Sequence, residues 1–241
     1  MTVPKTSMDA TKWGARAAEL YSDAYARRYR TADDAIRDGE LVTRFSGWLG
    51  QVCDDFHGDI DVLDLGCGTG RYFHALRHLH RLVGIDVSRP MLDEARHPIG
   101  APQIPVELIE GDFLTHDFGA ETFDLIYSIG VLAEHSPFDE AVASRVFRWL
   151  RPGGRFAFTA VHPLSFSTPR TIKRRIAERL LPLTRGGLRR ALRARLMRDG
   201  LYADEERLRE VLYATGFAVE SIEPYESDVH RHSMTVARKP A

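Results

Sequence analysis

Nine residues limit what this chain can become: Val62-Leu63-Asp64-Leu65-Gly66-Cys67-Gly68-Thr69-Gly70. A run of strand character ends in an acid, and three alternating glycines follow. Without Cβ atoms, Gly66, Gly68 and Gly70 can take positive φ and let the backbone pass close to a ligand. The spacing separates this turn from two other glycine loops. A dinucleotide fingerprint needs a further glycine at position 71, which is Arg. A phosphate-gripping P-loop needs Gly-Lys-Ser/Thr, and the chain contains no Gly-Lys pair. An acid two residues before the first glycine repels phosphate and suits a ligand that carries an ammonium group and no phosphate.

Around this turn the pattern alternates strand and helix. Trp13, Ala17, Tyr21, Tyr25 and Tyr29 recur at steps of four and predict a helix over about 8–30 with an aromatic stripe. Leu41, Phe45, Trp48, Leu49 and Val52 predict an amphipathic helix over about 40–54. After the first strand and the glycine turn, a short helix is expected over 71–80, with free N–H groups at its start. Strands are predicted over 82–86, 106–109 and 123–128. Ser88 caps a helix between the first two of these, with Pro90 in its first turn. A helix over 138–150 is expected to be stopped by Arg151-Pro152-Gly153-Gly154, ahead of a strand over 155–161. A helix over 203–215 and strands over 217–222 and 233–237 complete the pattern.

Such alternation argues for a mostly parallel sheet with helices on both faces, a Rossmann-like α/β fold. In these sheets ligands bind at the carboxyl ends of the strands, which gathers Asp64, Asp86, Asp112 and Ser128 at one edge. Asp86 can accept from both hydroxyls of a ribose. Asp112 and Phe113 can offer an acceptor to an exocyclic amine and a ring to a purine. With 241 residues and 44% apolar content, the chain can bury one full α/β core with additions. A formal net charge of −1 gives no global sign of nucleic acid or membrane. Two cysteines, Cys53 and Cys67, imply no disulfide framework, which fits a cytoplasmic protein. No apolar run is long enough to span a bilayer, and the N-terminus lacks a signal-peptide core.

Five ordered blocks carry a resemblance: Val62 to Tyr72, Gly84-Ile85-Asp86, Glu110-Gly111-Asp112-Phe113, Phe123-Asp124-Leu125-Ile126 and Leu150-Arg151-Pro152-Gly153-Gly154. Together they resemble the class I S-adenosylmethionine-dependent methyltransferases over about 59–161. The resemblance implies seven strands with the last antiparallel and inserted beside the sixth. It implies S-adenosylmethionine as methyl donor and S-adenosylhomocysteine as product. Asp64, Gly66, Cys67, Gly68 and Gly70 would hold the methionine end. Asp86, with Val87 and Met91, would bind the ribose, and Asp112 and Phe113 the adenine. Ser128, Ile129 and Gly130 would line the sulfonium side. Residues 1–58 would form a lid region whose Tyr21 and Tyr25 adjoin the cofactor, and 59–241 the core.

A base is needed only for a protonated acceptor. Candidates are Glu134 and His135 after strand four and His162 after strand five; His230 and His232 stand behind them. The chain lacks the Asp/Asn-Pro-Pro-aromatic run of base N-methylating members and a placed nucleophilic cysteine. Ser128 stands where metal-dependent members carry an acid, so no metal is expected. What remains is O-, N- or C-methylation of a small molecule.

Eleven Lys or Arg against the single acid Glu178 fill residues 170–198. Leu/Ile stripes broken at Pro182 and Gly186-Gly187 predict a helical hairpin, a basic cap inserted over about 163–200. It fits an acidic small molecule or an anionic membrane surface. RNA or protein as acceptor is the alternative, although the segment lacks the interleaved aromatics that stack bases. A non-catalytic sensor of the cofactor is the other-class alternative.

Overall fold

The computed structural model describes residues 23–36, 39–100, 102–162, 202–226 and 231–241. The predicted basic cap, Trp13, Ala17, Tyr21 and His230 lie outside the described residues. The described elements in chain order are helices α1 (Asp23–Ile36) and α2 (Glu40–Asp54), strand β1 (Ile60–Leu65), a 3-10 turn (Phe73–Ala75) and β2 (Leu79–Asp86). Next come α3 (Arg89–Ala95), β3 (Val106–Glu110), β4 (Phe123–Ser128), α4 (Glu140–Trp149) and β5 (Leu150–Val161). The series ends with α5 (Glu205–Ala214), β6 (Ala218–Glu226) and β7 (Arg231–Arg238). The strands form one seven-stranded sheet in the order β3-β2-β1-β4-β5-β7-β6.

The chain divides into two compact units, Met1–Tyr127 and Ser128–Ala241. In the first, β1 pairs in parallel with both β2 and β4, and β2 with β3. Their apolar runs are buried on both faces, as a covered parallel sheet requires: Val62, Leu63, Leu65, Val83 and Ile85 are all fully buried. Helix α2 buries Val42, Phe45, Trp48, Leu49 and Val52. Leu41, predicted in that stripe, is only half-buried, and Val42 takes its place. In the second unit, β7 runs antiparallel to both β5 and β6. This is the inverted last strand that the resemblance implies. Asp139 and Asp204 cap α4 and α5 by accepting from backbone N–H groups of the first turn.

Three local expectations are corrected. No helix forms over 71–80. Only the 3-10 turn exists there, and β2 begins at Leu79, so eight residues separate Gly70 from the strand. Phe73 is fully buried with its ring against Gly70, and His78 adopts a left-handed φ of 55°. Both spend the connection on turning rather than on a helix. Arg151-Pro152-Gly153-Gly154 does not stop α4, which has already ended at Trp149; it is the first part of β5. Gly153 N–H donates to the Lys239 carbonyl and Lys239 N–H to the Gly154 carbonyl, each at 2.9 Å. Helix α1 runs past residue 30 to Ile36, because Thr31 to Asp33 continue the helical register and Asp33 is buried.

Candidate functional site

Within the first unit the strand ends assemble a cradle. Asp64 is the penultimate residue of β1 and the glycine turn leaves directly after Leu65. Gly66, Gly68 and Gly70 all take positive φ, at 77°, 53° and 74°. That conformation is strained for side-chain-bearing residues, so the alternating glycines are a backbone requirement. The N–H groups of Gly66 and Cys67 both donate to the Ile85 carbonyl, at 2.9 and 3.1 Å. A Cβ on Gly84 would stand 2.9 Å from Cys67 Sγ, so a glycine in β2 makes room for the cysteine of the loop.

Asp86, the last residue of β2, ties this loop to its strand. Its Oδ2 accepts from Gly68 N–H at 2.9 Å and its Oδ1 from Ser88 N–H at 2.9 Å. With these N–H groups and that of Val87 on its two oxygens, the carboxylate keeps acceptor capacity for a ligand hydroxyl. Burial raises the Asp86 pKa above the ordinary carboxylate value, opposed by the N–H groups of Ser88, Gly68 and Val87. The Asp86 carbonyl accepts from Gly111 N–H at 2.9 Å, which draws the end of β3 alongside. Asp112 follows and turns back on itself, its Oδ1 accepting from Leu114 N–H at 2.8 Å. Phe113 and Met91 are buried; Val87 is half-buried.

Asp64 is 4% exposed. Burial pushes its carboxyl up to about 8, against a lowering influence of the neighbouring Tyr127 hydroxyl and a further rise from the Asp86 charge. At neutral pH this carboxyl therefore keeps its proton, and a cation brought against it would favour the ionised form. A buried acid of this kind fits a ligand ammonium. Tyr127 is fully buried, and among the described residues its hydroxyl has no partner in good hydrogen-bond geometry.

Helix α1 brings residues that the sequence reading passed over. Tyr25 stacks on Tyr29 with ring centroids 5.8 Å apart, as the predicted stripe requires. One step of four further lies Asp33, whose carboxylate accepts from the Thr69 hydroxyl and the Arg71 guanidinium, the two residues flanking Gly70. The stripe at Tyr21, Tyr25 and Tyr29 points straight to Asp33, and this was the signal available.

In the second unit, Ser128 ends β4 and is fully buried, and Ile129 and Gly130 are half-buried. Gly130 takes φ 76° and donates its N–H to Thr159 Oγ1 at 2.9 Å, and no described residue lies within 4 Å of where a Cβ would stand. A compact turn follows: the N–H groups of Glu134, His135 and Ser136 all converge on the Val131 carbonyl, and Ala133 is left-handed. Burial raises the Glu134 carboxyl to about 7, and its Oε1 lies 3.7 Å from His135 Nε2. His135 is exposed, whereas His162 is half-buried one residue past β5, its N–H donating to the Arg231 carbonyl. His232 is buried in β7 with its ring 6.5 Å from that of Tyr225. Of the predicted bases, Glu134 and His135 lie side by side, and burial tunes the Glu134 carboxyl toward neutral pH. Among the described residues no group of three or more His, Cys, Asp or Glu could hold a metal ion, and no helix is long and apolar enough to cross a membrane.

A family model for a methyltransferase domain matches residues 62–154. The chain is 33% identical over 105 residues to a sterol 24-C-methyltransferase of Debaryomyces hansenii, covering 41% of this chain and 27% of that protein. It is 37% identical over 97 residues to a phosphoethanolamine N-methyltransferase of Triticum aestivum, covering 39% of this chain and 19% of that protein. The chain thus spans well under half the length of the curated relatives it matches. Among solved structures, magnesium protoporphyrin IX methyltransferase from Synechocystis PCC 6803 with bound SAM superposes with a TM-score of 0.63. That match covers 98% of this chain and 99% of that one at 15% identity, a likeness of fold.

Proposed function

We propose, from the premise that the chain belongs to the class I S-adenosylmethionine-dependent methyltransferases, that it transfers a methyl group from S-adenosylmethionine to a small-molecule acceptor. The observation that carries the reading is the glycine turn: three left-handed glycines beside a buried Asp64, tied through Gly68 to Asp86. Asp64 suits the ammonium of the methionine end. The lone pairs left on Asp86 suit ribose hydroxyls, and Asp112 with Phe113 suits adenine. Gly66, Cys67, Val87 and Met91 line the same stretch, and Tyr25 belongs to the helix beside it; Ser128, Ile129 and Gly130 are assigned to the sulfonium side.

The donor supplies a methyl carbon on a good leaving group. The protein then has to position the acceptor in line and exclude water. An electron pair of the acceptor, a lone pair on O or N or a π pair at carbon, forms the new bond to the methyl carbon as the sulfur–carbon bond breaks, and the bonding pair stays on sulfur. Glu134, with its carboxyl near neutral pH, takes the acceptor's proton where there is one; His135 and His162 are the remaining candidates. Two of the matched relatives are named for acceptors of small size, a sterol and phosphoethanolamine. Those names support the small-molecule class, and the atom methylated in this chain's acceptor stays open among O, N and C.

The test is transfer of labelled methyl from S-adenosylmethionine to a metabolite extract, with products partitioned by size. Labelled small products are expected. Labelled RNA or protein would move the reading to a macromolecular acceptor, and donor binding without any labelled product would make the protein a sensor.

A further inference from the structure

The glycine loop has two anchors. The first is the sheet: Gly66 and Cys67 N–H donate to the Ile85 carbonyl, and Gly68 N–H to the Asp86 carboxylate. These hold only the half of the loop nearest β1. The second half, Thr69-Gly70-Arg71, is tied back by Gly70 N–H, which donates to the Cys67 carbonyl at 2.9 Å, and its side chains are held from outside the sheet. Asp33 on α1 gives one carboxylate oxygen to the Thr69 hydroxyl and the other to an Arg71 guanidinium nitrogen. Its side chain is fully buried, while that of Arg71 is 17% exposed. The guanidinium also lies over the ring of Tyr29, 4.9 Å from its centroid, and 6.0 Å from that of Tyr72. Helix α1 is fixed in turn by Arg30, which donates to the Glu94 and His97 carbonyls at the end of α3.

We propose that Asp33 is a positioning residue for the donor: through Thr69 and Arg71 it holds Gly70 in its left-handed turn, so that docking of α1 and binding of the methyl donor are one coupled event. The proposal rests on the donor reading given above. A buried ion pair adds little net stability compared with apolar packing but restricts geometry strongly. One carboxylate bridging both neighbours of a left-handed glycine fixes the direction of the intervening peptide. Because Asp33 belongs to α1, a loop in ligand-ready shape requires α1 in place. By linkage, a ligand that needs that loop shape stabilises α1.

The test uses S-adenosylhomocysteine binding by calorimetry and hydrogen–deuterium exchange on the full chain. Asp33→Asn keeps the size of the side chain and removes the charge; it is expected to weaken binding roughly tenfold, the effect of losing a charge-assisted hydrogen bond. Thr69→Val is expected to weaken binding several-fold, and Thr69→Ser, which restores a hydroxyl, to recover it. The ligand is expected to slow exchange along 23–36 in the wild type and not in Asp33→Asn. Without any ligand, Asp33→Asn is expected to speed exchange of the Gly70 amide, which donates to the Cys67 carbonyl, several-fold, while that of Gly68, held by Asp86, changes little. Wild-type affinity in Asp33→Asn overturns the proposal, as does lowered thermal stability with unchanged affinity, the mark of a purely structural contact. A wild-type protein that binds no S-adenosylhomocysteine overturns the donor reading instead. The ligand-free exchange of Gly70 then decides on Asp33 by itself, and unchanged exchange rejects it.

Discussion

Asp86 Oδ2 accepts the Gly68 backbone N–H at 2.9 Å, so the carboxylate at the end of β2 is part of the glycine turn as well as its neighbour. The other oxygen caps Ser88 N–H. One side chain thus shapes the loop and offers its remaining lone pairs to a ligand. Asp86→Ala leaves two backbone donors without their acceptor and removes the ligand contact. We expect donor-product affinity to fall roughly 100-fold, about 1–3 kcal/mol for each lost charge-assisted bond. Asp86→Asn, whose amide oxygen can still accept one N–H, should lose less. Calorimetric titration with S-adenosylhomocysteine measures both; near-normal affinity in Asp86→Ala would remove the ribose assignment.

Gly70 and Gly130 share a left-handed backbone but differ in the space around them. At Gly70 a Cβ would stand 2.5 Å from a ring carbon of the buried Phe73; at Gly130 nothing among the described residues lies within 4 Å. Gly70→Ala therefore combines backbone strain with a steric clash and should destabilise by about 2–4 kcal/mol. Gly130→Ala meets only the strain and should destabilise by about 1 kcal/mol. Urea unfolding of the two variants checks the ranking, and equal losses would contradict it. Gly70→Ala combined with Phe73→Leu should recover part of the loss.

These two glycines also show what the sequence made legible. Three alternating glycines after an acid imply positive φ and close approach, and all three adopt it. Asp86 and Asp112 were legible because strand ends follow from apolar runs. The helix expected over 71–80 does not form because β2 begins three residues early, at the buried Leu79, followed by exposed His80 and half-buried Arg81, which hide the start of the strand from an apolar pattern. The Arg-Pro-Gly-Gly run was misjudged because a glycine signal serves equally for ending a helix and for the bent start of a strand whose ladder continues at Lys239. Asp33 was passed over because its role depends on tertiary contact with Thr69 and Arg71, which periodicity can suggest but not specify. Among the candidate bases, position after a strand end favours His135 and His162, whereas burial raises the carboxyl of Glu134 and leaves His135 exposed.

Asp64 gives a pH signature with a definite sign. Its carboxyl lies near 8 in the folded protein against an ordinary value of 3.8. Between those values the folded state holds a proton that the unfolded state has released, so stability from this group falls as pH rises from about 4 to about 8 and is level above. Asp64→Asn should remove that slope and unfold at a higher temperature than the wild type at pH 9, because no buried charge has to form. The same substitution should weaken donor binding, since the amide cannot pair with an ammonium. In the wild type, donor affinity should rise toward pH 8 with release of a proton. Calorimetry in two buffers of different ionisation enthalpy detects that proton. A pH-independent affinity would show that Asp64 does not meet the ammonium.

Glu134 yields a kinetic prediction once an acceptor is known. Burial alone raises its carboxyl to about 7, and the convergent N–H groups on the Val131 carbonyl fix the turn that carries it. A base must be deprotonated to act, so kcat/KM should climb with pH through about 7 and then level. Glu134→Gln keeps the shape of the turn and removes the acceptor of the proton; the rate should fall roughly 100-fold or more, and the limb near pH 7 should vanish. His135→Asn should change the rate far less, because that ring is exposed and stands beside the carboxyl rather than in its place. The comparison separates the two residues in one pH series. A Glu134→Gln enzyme that keeps the wild-type profile would assign the proton to another group or show that the acceptor carries none to lose.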